Sequence, residues 1–388
     1  MEKYLQRGVS AGKEEVHSAV SNLYHGLYPK AFCKVFPDFL AGNENYVNAM
    51  SSDGSGTKSI LAYLYAKETG NAAVWQGIAQ DALVMNLDDL ICVGATDNFL
   101  FTSIINRNKN LISGEDIAQI IQGSNEFCKS MAAHQINIHF MGGETADLGD
   151  SVRTITVDAS MTTRLPKSEL ILTDNIKPGL VIVGLASYGK ASYENKYNSG
   201  ISSNGLTSAR HDVLSSFYAE KFPETFDPSL NKSVVYCGSK KLTDKLPETE
   251  LTIGEALLSP TRTFAPVIKQ LKNNLPGKIA ALINCTGGSQ TKVLHYLPQG
   301  LAVVKDNLLP VPPLFKFIQQ ESKTDWKEMF KVLNCGTRME IYVEEKDAQT
   351  VIETAAKFNI QAQKIGYVES SLQNKVIVQN ELGNFEYL

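Results

Sequence analysis

The sequence predicts a mixed α/β (α+β) fold divided into two domains. Its 388 residues are more than a single domain of about 100–200 residues usually contains. Helical and strand patterns alternate along the whole chain, which is typical of mixed architectures. Near the middle, a polar turn with a Pro-Gly pair at residues 173–179 precedes the strand-like apolar run at 180–186. We therefore expect a first domain at residues 1–174 and a second at residues 175–388.

The elements of the first domain follow from the spacing of its apolar residues. Apolar side chains recur near helical spacing over residues 78–95. Ser113 is a typical N-cap for a second helix that opens at Gly114. Residues 99–105 have the composition of a strand, and residues 153–163 alternate as a half-buried strand does.

The second domain has its own mixture of strands and helices. The strand-like runs are residues 181–185, 279–283, 301–304 and 339–343, and a helical pattern covers residues 347–358. Two polar stretches, residues 188–198 and 224–250, are interpreted as surface insertions.

Composition and charge exclude several classes of protein. Hydrophobic residues make up 43% and charged residues 20% of the chain, which excludes wholesale disorder. The net charge is −4 with no basic block, so a nucleic acid is not the expected partner. No apolar run approaches the roughly 18 residues of a membrane-spanning helix, so we expect no membrane partner. The six cysteines are scattered singly and no apolar leader begins the chain, so we expect reduced thiols in a cytoplasmic protein.

Two closely spaced glycines, Gly54 and Gly56, mark the first candidate binding motif. They let the backbone approach a ligand closely. Lys58, directly after Thr57, supplies a compact charge suited to phosphate. Asp53 is placed to bind Mg²⁺ or to accept a hydrogen bond from a hydroxyl. The spacing is not that of a Walker A loop, and a purely structural turn before a helix is the alternative interpretation.

Three acidic residues on the predicted helix at 78–95 form a second candidate motif. At 100° per residue, Asp88 lies within about 20° of Asp81, and Asp89 lies about 80° from it. Carboxylates gathered beside an apolar stripe are costly unless a cation offsets them. The sequence therefore predicts either a metal site or a solvated acidic face.

A third motif follows the strand-like residues 136–140. Gly142 and Gly143 are followed by Glu144 and Thr145. A strand that ends there would place a carboxylate and exposed amides at a sheet edge, where ligands commonly bind. An ordinary strand-to-loop turn is the alternative.

The second domain contains two segments with similar chemistry. One precedes the helical run at 206–214, so its small hydroxyl and amide side chains are suited to a phosphate nest at a helix N-terminus. The other follows the strand-like residues 280–285, and either segment could instead be an ordinary loop. The two segments comprise Ser202, Ser203, Asn204 and Gly205, and Thr286 with Gly287.

Taken together and in order, these segments resemble the phosphoribosylformylglycinamidine cyclo-ligase (aminoimidazole ribonucleotide synthetase) family. The resemblance covers about residues 4–368, and the order and separation of its motifs make it specific. The matching residues include Asp53-Gly54-x-Gly56-Thr57-Lys58, Asp81 with Asp89-Leu90, Gly94-Ala95, Gly142-Gly143-Glu144-Thr145-Ala146, Lys167-Ser168-Glu169, Ser203-Asn204-Gly205 with Arg210, Leu258-x-Pro260-Thr261-Arg262 and Thr286-Gly287-Gly288.

The resemblance implies a fold and an activity. N-terminal domains would pair through their strands into a dimer-spanning barrel, with ATP and substrate in a groove between the domains. The implied activity is the ATP-dependent cyclisation of formylglycinamidine ribonucleotide to aminoimidazole ribonucleotide in purine biosynthesis. ATP phosphorylates the formyl oxygen, a nitrogen of the amidine side attacks, and phosphate leaves. The chain would then be a ligase and a homodimer, with ATP and Mg²⁺ as cofactors and a phosphoribosyl compound as substrate.

The resemblance also implies roles for single residues. Lys58 and Asp89 are expected to be catalytic, and Mg²⁺ is expected to bind to Asp53, Asp81 and Asp89. The nucleotide is expected to bind to Asp53, Gly54, Gly56, Thr57, Lys58, Asp81, Gly142, Gly143, Glu144 and Thr145. The substrate is expected to bind to Ser202, Ser203, Asn204, Gly205, Arg262, Asn284, Thr286 and Gly287.

Four positions depart from the family pattern. Ser202 and Asn284 stand where the family has histidine, Asp88 stands where it has asparagine, and Thr102 stands where it has aspartate. These departures keep two alternatives open. One is another ATP-using enzyme of the same superfamily that acts on a different small substrate, such as a selenophosphate synthetase, a thiamine-monophosphate kinase or a hydrogenase-maturation protein. The other is a non-catalytic nucleotide-binding paralogue. Against this alternative argues the retention of five residues, Asp53, Lys58, Asp81, Asp89 and Glu144.

Overall fold

Two large β-sheets organise the protein. The computed structural model describes residues 5–9, 18–20 and 22–388. One sheet takes its strands from residues 35–166 and the other from residues 181–387. The prediction of a mixed α/β fold is confirmed.

The first sheet has five strands in the order β1-β2-β5-β3-β4. Strands β3 and β4 are parallel, and the other neighbours are antiparallel. The strands are β1 (Val35–Pro37), β2 (Tyr46–Gly54), β3 (Phe99–Arg107), β4 (Ile138–Asp147) and β5 (Ile155–Pro166). The helices of this region are α1 (Lys58–Thr69), α2 (Val74–Ile91) and α3 (Gly114–Ala132). Helix α2 packs on β2 and β5, and α3 packs on α2.

The predicted helices exist, but one is displaced along the sequence. Helix α3 begins after Ser113, whose side chain accepts a hydrogen bond from the Asp116 amide in a capping box, as its N-cap chemistry predicts. Helix α2 begins at Val74 and ends at Ile91 rather than covering residues 78–95. The helix stops early because Gly94 adopts a φ of 96°, and a Cβ there would lie 2.3 Å from the Glu169 carbonyl oxygen.

The prediction that the strand before Gly142 and Gly143 ends at these glycines is wrong. Both lie inside β4, which continues to Asp147. A Cβ on Gly143 would lie 1.9 Å from the Ser103 carbonyl oxygen, so a glycine is needed for β3 and β4 to pair. The register shifts between Phe101 and Ser103, next to this close approach. Glycine here supports a strand instead of ending one.

The second sheet has seven strands in the order β14-β13-β10-β12-β6-β11-β9. Only β10 and β13 pair in parallel. Its strands are β6 (Val181–Ala186), β9 (Ala281–Asn284), β10 (Leu301–Lys305), β11 (Thr337–Val343), β12 (Ala362–Ser370), β13 (Lys375–Asn380) and β14 (Gly383–Tyr387). A small hairpin joins β7 (Tyr188–Gly189) and β8 (Asn198–Ser199). The helices are α4 (Leu206–Val213), α5 (Phe217–Lys221), α6 (Ile253–Leu257), α7 (Ala265–Asn274), α8 (Pro313–Ser322), α9 (Trp326–Val332) and α10 (Glu345–Lys357).

The two predicted surface insertions are more deeply packed than their polarity suggests. Residues 224–250 bury Tyr236, Leu242 and Leu246 completely, because their apolar side chains are spaced among polar ones and join the core. Residues 188–198 form the β7–β8 hairpin and line a cavity of about 340 Å³ against α2 and α3. None of the helices in the described part of the chain is long and apolar enough to cross a membrane.

Candidate functional site

Three of the predicted glycine-rich segments meet where residues 54–57, 202–207 and 284–288 lie side by side, a junction called the cleft below. A Cβ built on Gly56 would lie 3.9 Å from the Ser203 carbonyl oxygen, and one built on Gly287 would lie 3.7 Å from Asn204 Oδ1. The Thr57 hydroxyl lies 2.9 Å from the hydroxyl of Thr207 at the start of α4. The structure therefore brings together segments that are about 150 and 230 residues apart in the chain.

Several buried polar atoms at this junction have no hydrogen-bond partner among the described residues. They are Ser203 Oγ, Asn204 Nδ2 and Asn284 Oδ1. A buried polar atom without a partner typically costs about 1–3 kcal/mol, so a ligand or water that bonded to these atoms would be favoured. Their donors and acceptors suit a ligand that carries both phosphate and amide groups.

Asp89 connects this cleft to helix α2. Asn284 Nδ2 at the end of β9 donates a hydrogen bond to Asp89 Oδ1 at 2.9 Å. Burial raises the pKa of Asp89 to about 7, and the charges of Asp53 and Asp88 add to this rise, while the Asn284 amide and the Lys292 ammonium oppose it. A carboxylate that is disfavoured by burial and by nearby carboxylates favours a bound cation.

The residues present fit one hard cation that a nucleotide would help to hold. Mg²⁺ typically binds to one or two carboxylates together with substrate phosphates. Asp53 and Asp89 supply two carboxylates whose charges interact, and the unpartnered Oδ1 of Asn284 supplies a neutral oxygen. Within residues 5–9, 18–20 and 22–388, no three His, Cys, Asp or Glu side chains are gathered to hold a metal by themselves.

The structure does not assemble the predicted triad of Asp53, Asp81 and Asp89. Asp81 is completely buried, and its Oδ1 accepts hydrogen bonds from Lys58 Nζ at 2.8 Å and from the Thr261 amide at 2.8 Å. Lys58 is also fully buried and donates to the Ser259 carbonyl oxygen at 2.6 Å. The bonds to Ser259 and Thr261 join this pair, and with it α2, to the segment before α7. The pairing itself is expected, because a buried carboxylate needs a buried cation. Lys58 therefore does not extend into the cleft.

Asp88 makes a second charged contact across the same interface. Its Oδ1 accepts from the Thr263 hydroxyl at 2.6 Å, and its Oδ2 accepts from Arg338 Nη2 at 2.6 Å. Both Asp88 and Arg338 are buried. Asp81 and Asp88 therefore each form an ion pair with a buried protein cation, Lys58 and Arg338 respectively.

Arg262 does not present its guanidinium to the cleft. All five of its N–H groups are used, and the side chain is 2% exposed. The acceptors are both carboxylate oxygens of Glu194 and the carbonyl oxygens of Ala186, Tyr188 and Gly189. A guanidinium whose donors are all occupied has none left for a ligand. Arg262 instead fixes the β7–β8 hairpin to the second sheet.

The segment from Gly142 to Thr145 lies away from the other candidate residues within one chain. Cross-strand partners place Gly54, Asp158, Ile104 and Glu144 in one row across the first sheet. Three strand spacings separate Gly54 from Glu144, which is about 14 Å. The row lies on the sheet face that the helices leave uncovered.

Two side chains at the cleft were missed by the sequence analysis. Thr207 follows Gly205 by two residues, and its hydroxyl meets Thr57. Lys292 lies in the 3₁₀ helix Ser289–His295, one turn beyond Gly288. A lysine one turn after a Gly-Gly pair was the available signal in its case.

Comparison with known proteins identifies the family. The AIR synthase related protein N-terminal domain matches residues 35–165, and the corresponding C-terminal domain matches residues 177–379. A phosphoribosylformylglycinamidine cyclo-ligase of Methanocaldococcus jannaschii is 32% identical over 336 residues, which is 86% of this chain and 82% of the relative. One of Caldicellulosiruptor saccharolyticus is 29% identical over 84% of this chain and 83% of the relative.

Solved structures are similar to this chain in fold, at low sequence identity. The chain is similar to one in the crystal structure of a HypE-HypF complex, with a TM-score of 0.57 and 16% identity over 96% of this chain and 98% of the other. It is also similar to tt0281 from Thermus thermophilus, with a TM-score of 0.53 and 14% identity over 95% and 97% of the two chains. The two matched domains cover most of the chain, which therefore belongs to the AIR synthase related protein family.

Proposed function

We propose that this chain is an ATP-dependent cyclo-ligase that closes formylglycinamidine ribonucleotide to aminoimidazole ribonucleotide in purine biosynthesis. Relatives that bear the name of this activity match the chain over more than four-fifths of both lengths. The structural observation that supports the proposal is that Gly56, Ser203 and Gly287 come together near Asp89. Glycine-rich turns next to carboxylates suit a metal–nucleotide complex.

The reaction needs activation of an oxygen that is otherwise a poor leaving group. The γ-phosphoryl group of ATP moves to the formyl oxygen of the substrate, and the bond to ADP breaks. A nitrogen of the amidine side then attacks the activated carbon, and the carbon–oxygen bond breaks as phosphate leaves with that oxygen. The protein contributes positioning and charge neutralisation, since no covalent intermediate with a side chain is required.

The nucleotide and the substrate bind to different walls of the cleft in this proposal. The turn from Asp53 through Thr57 holds the nucleotide phosphates, and Mg²⁺ binds to Asp53 and Asp89. When bound, Mg²⁺ neutralises phosphate charge during the transfer. The substrate binds opposite, to the loop residues Ser202, Ser203, Asn204 and Gly205 and to Asn284, Thr286 and Gly287.

Lys58, Asp81 and Arg262 act as positioning residues in this proposal. The buried Lys58–Asp81 pair fixes helix α2, and therefore Asp89, against the second domain. The Arg262–Glu194 pair fixes the hairpin that precedes the Ser202–Gly205 loop. The division into domains at residues 1–174 and 175–388 is part of the proposal. The bonds from Lys58 to the Ser259 carbonyl oxygen and from the Thr261 amide to Asp81 then lie between the two units.

In this proposal the protein is a homodimer, and its two chains pair through the uncovered face of the first sheet. Met50, Leu100, Ile104 and Met141 are 40–60% exposed on strands of this sheet. An apolar patch of this kind typically marks a protein interface. Glu144 shares a cross-strand pair with Ile104, so in the dimer the segment from Gly142 to Thr145 reaches a nucleotide site across the interface.

The decisive experiment is a phosphate-release assay with ATP and formylglycinamidine ribonucleotide, combined with detection of the aminoimidazole product. Phosphate and product should appear in equal amounts. Asn204→Ala should raise the substrate KM at least about tenfold, because a buried donor to the substrate is lost. Asn45→Ala is the matched control, since Asn45 is exposed at the opposite end of β2. Absence of product from wild-type protein that binds ATP would contradict the proposal.

A further inference from the structure

Lys292 is the lysine whose surroundings fit a phosphate ligand at the cleft. Its Nζ lies 5.7 Å from the centre of the Phe32 ring and 6.0 Å from that of Tyr296. These two rings are stacked, with centres 4.8 Å apart. Aromatic rings attract an ammonium but accept none of its N–H groups strongly.

The ammonium of Lys292 is therefore held in place with its donors available. Within the described part of the chain it donates no hydrogen bond to a protein acceptor and forms no ion pair. Lys58 is the opposite case, because its Nζ is buried and bonded to Asp81 and Ser259. An ammonium bonded to a carboxylate is already neutralised, whereas one held over aromatic rings keeps its charge for a ligand.

The backbone and the nearby charges place Lys292 close to the Thr286–Gly288 turn and to Asp89. A Cβ built on Gly288 would lie 3.5 Å from Lys292 Cα and 3.7 Å from its Cδ, so the lysine stem lies along the Thr286–Gly288 turn. The positive charge of Lys292 also acts on Asp89, which is bonded to Asn284. Lys292 therefore lies near both the proposed Mg²⁺ carboxylate and the proposed substrate turn.

We propose that Lys292 is a catalytic cation that contacts the γ-phosphoryl group of ATP as it moves to the substrate oxygen. The inference rests on the proposed function for ATP as the phosphoryl donor and for the formyl oxygen as the acceptor. During transfer the bond from phosphorus to the ADP oxygen breaks and the bond to the formyl oxygen forms. The ammonium of Lys292 offsets the negative charge on the phosphoryl oxygens.

A lysine-to-methionine substitution tests this assignment with a matched control. Lys292→Met should lower kcat about 100-fold, the usual cost of losing one preorganised charge at a transferring group. Lys292→Arg should recover at least about tenfold of this loss, because it keeps the charge. Lys327→Met is the control, since Lys327 is exposed and also lies over an aromatic ring, 5.6 Å from the centre of Tyr387.

Nucleotide binding separates this inference from the proposed function. In calorimetry with Mg²⁺, Lys292→Met should weaken binding of the non-hydrolysable β,γ-imido analogue of ATP about tenfold, which is about 1.4 kcal/mol, and leave ADP affinity unchanged. This readout needs no second substrate, so it holds even if wild-type protein closes no ring. Equal losses for both nucleotides, or a lowered Tm with unchanged selectivity, would assign Lys292 a structural role and overturn the inference.

Discussion

Replacing Lys58 with methionine should destabilise the protein before it affects chemistry. Lys58 and Asp81 are both completely buried, with Nζ and Oδ1 at 2.8 Å. The other carboxylate oxygen, Asp81 Oδ2, has no partner among the described residues. Removing Lys58 leaves a buried carboxylate without its cation, and breaking a buried ion pair in this way costs about 3–5 kcal/mol.

This cost predicts a large change in thermal unfolding. For domains of 150–250 residues, 1 kcal/mol shifts Tm by about 2–4 °C, so Lys58→Met should lower Tm by about 6–20 °C. The measurement is differential scanning calorimetry, which also resolves whether the two domains unfold in separate transitions. The loss of activity measured at 15 °C should be much smaller than the loss after incubation near the new Tm.

The double variant Lys58→Met/Asp81→Asn is the internal control. Asparagine removes the uncompensated charge while its Oδ1 still accepts from the Thr261 amide, so the double variant should be more stable than Lys58→Met alone. A Lys58→Met protein with wild-type Tm and abolished turnover would refute this reasoning. Lys58 would then be a phosphate ligand, as the sequence pattern alone predicts.

Three other perturbations test separate parts of the structure. Burial lowers the pKa of His211 to about 2 from 6.5, so below pH 6.5 the unfolded chain binds a proton that the folded protein does not. The folded protein should therefore lose about 2–3 kcal/mol of stability by pH 4.5. Urea unfolding at pH 7.5 and 4.5 should show a smaller difference in stability for His211→Gln than for the wild type, and an equal difference would contradict this. Ile104→Arg should convert the proposed homodimer to a monomer in light scattering. Leu372→Arg, at a fully exposed position of the second domain, should leave the proposed homodimer intact. A dimer in both variants would place the interface elsewhere. Asp53→Asn should weaken Mg²⁺-ATP binding at least about tenfold in calorimetry, and equal affinity would remove Asp53 from the metal site.

The sequence predicts local structure well where residues close together in the chain determine it. Ser113 followed by Asp116 specifies a helix start, and the structure has the complete capping box there. The alternation at residues 153–163 predicts a half-buried strand, and β5 alternates buried and half-buried residues along its whole length. In both cases the residues that determine the structure lie within a few positions of one another, so the sequence pattern is enough to predict it.

The roles of the acidic residues could not be predicted in the same way. Asp81 meets Thr261 across 180 residues, and Asp88 meets Arg338 across 250. A helical wheel shows that these carboxylates share a side of α2, but not whether water, a metal or a buried cation faces them. Arg262 presents the same problem, because its five acceptors include three backbone carbonyl oxygens that no sequence motif specifies.

Helix α2 therefore connects the domain interface to the proposed chemistry. Asp81 and Asp88 lie about 20° apart around the helix and bind the second domain, while Asp89 lies about 100° beyond Asp88 and faces Asn284. A rotation of α2 that relieved the buried pairs would also move Asp89 relative to Asn284. Substitutions at Lys58 or Arg338 should consequently change turnover through the position of Asp89, even though neither side chain contacts the cleft. Such an effect should grow with the loss of stability, whereas a change at Lys292 should alter turnover with Tm unchanged.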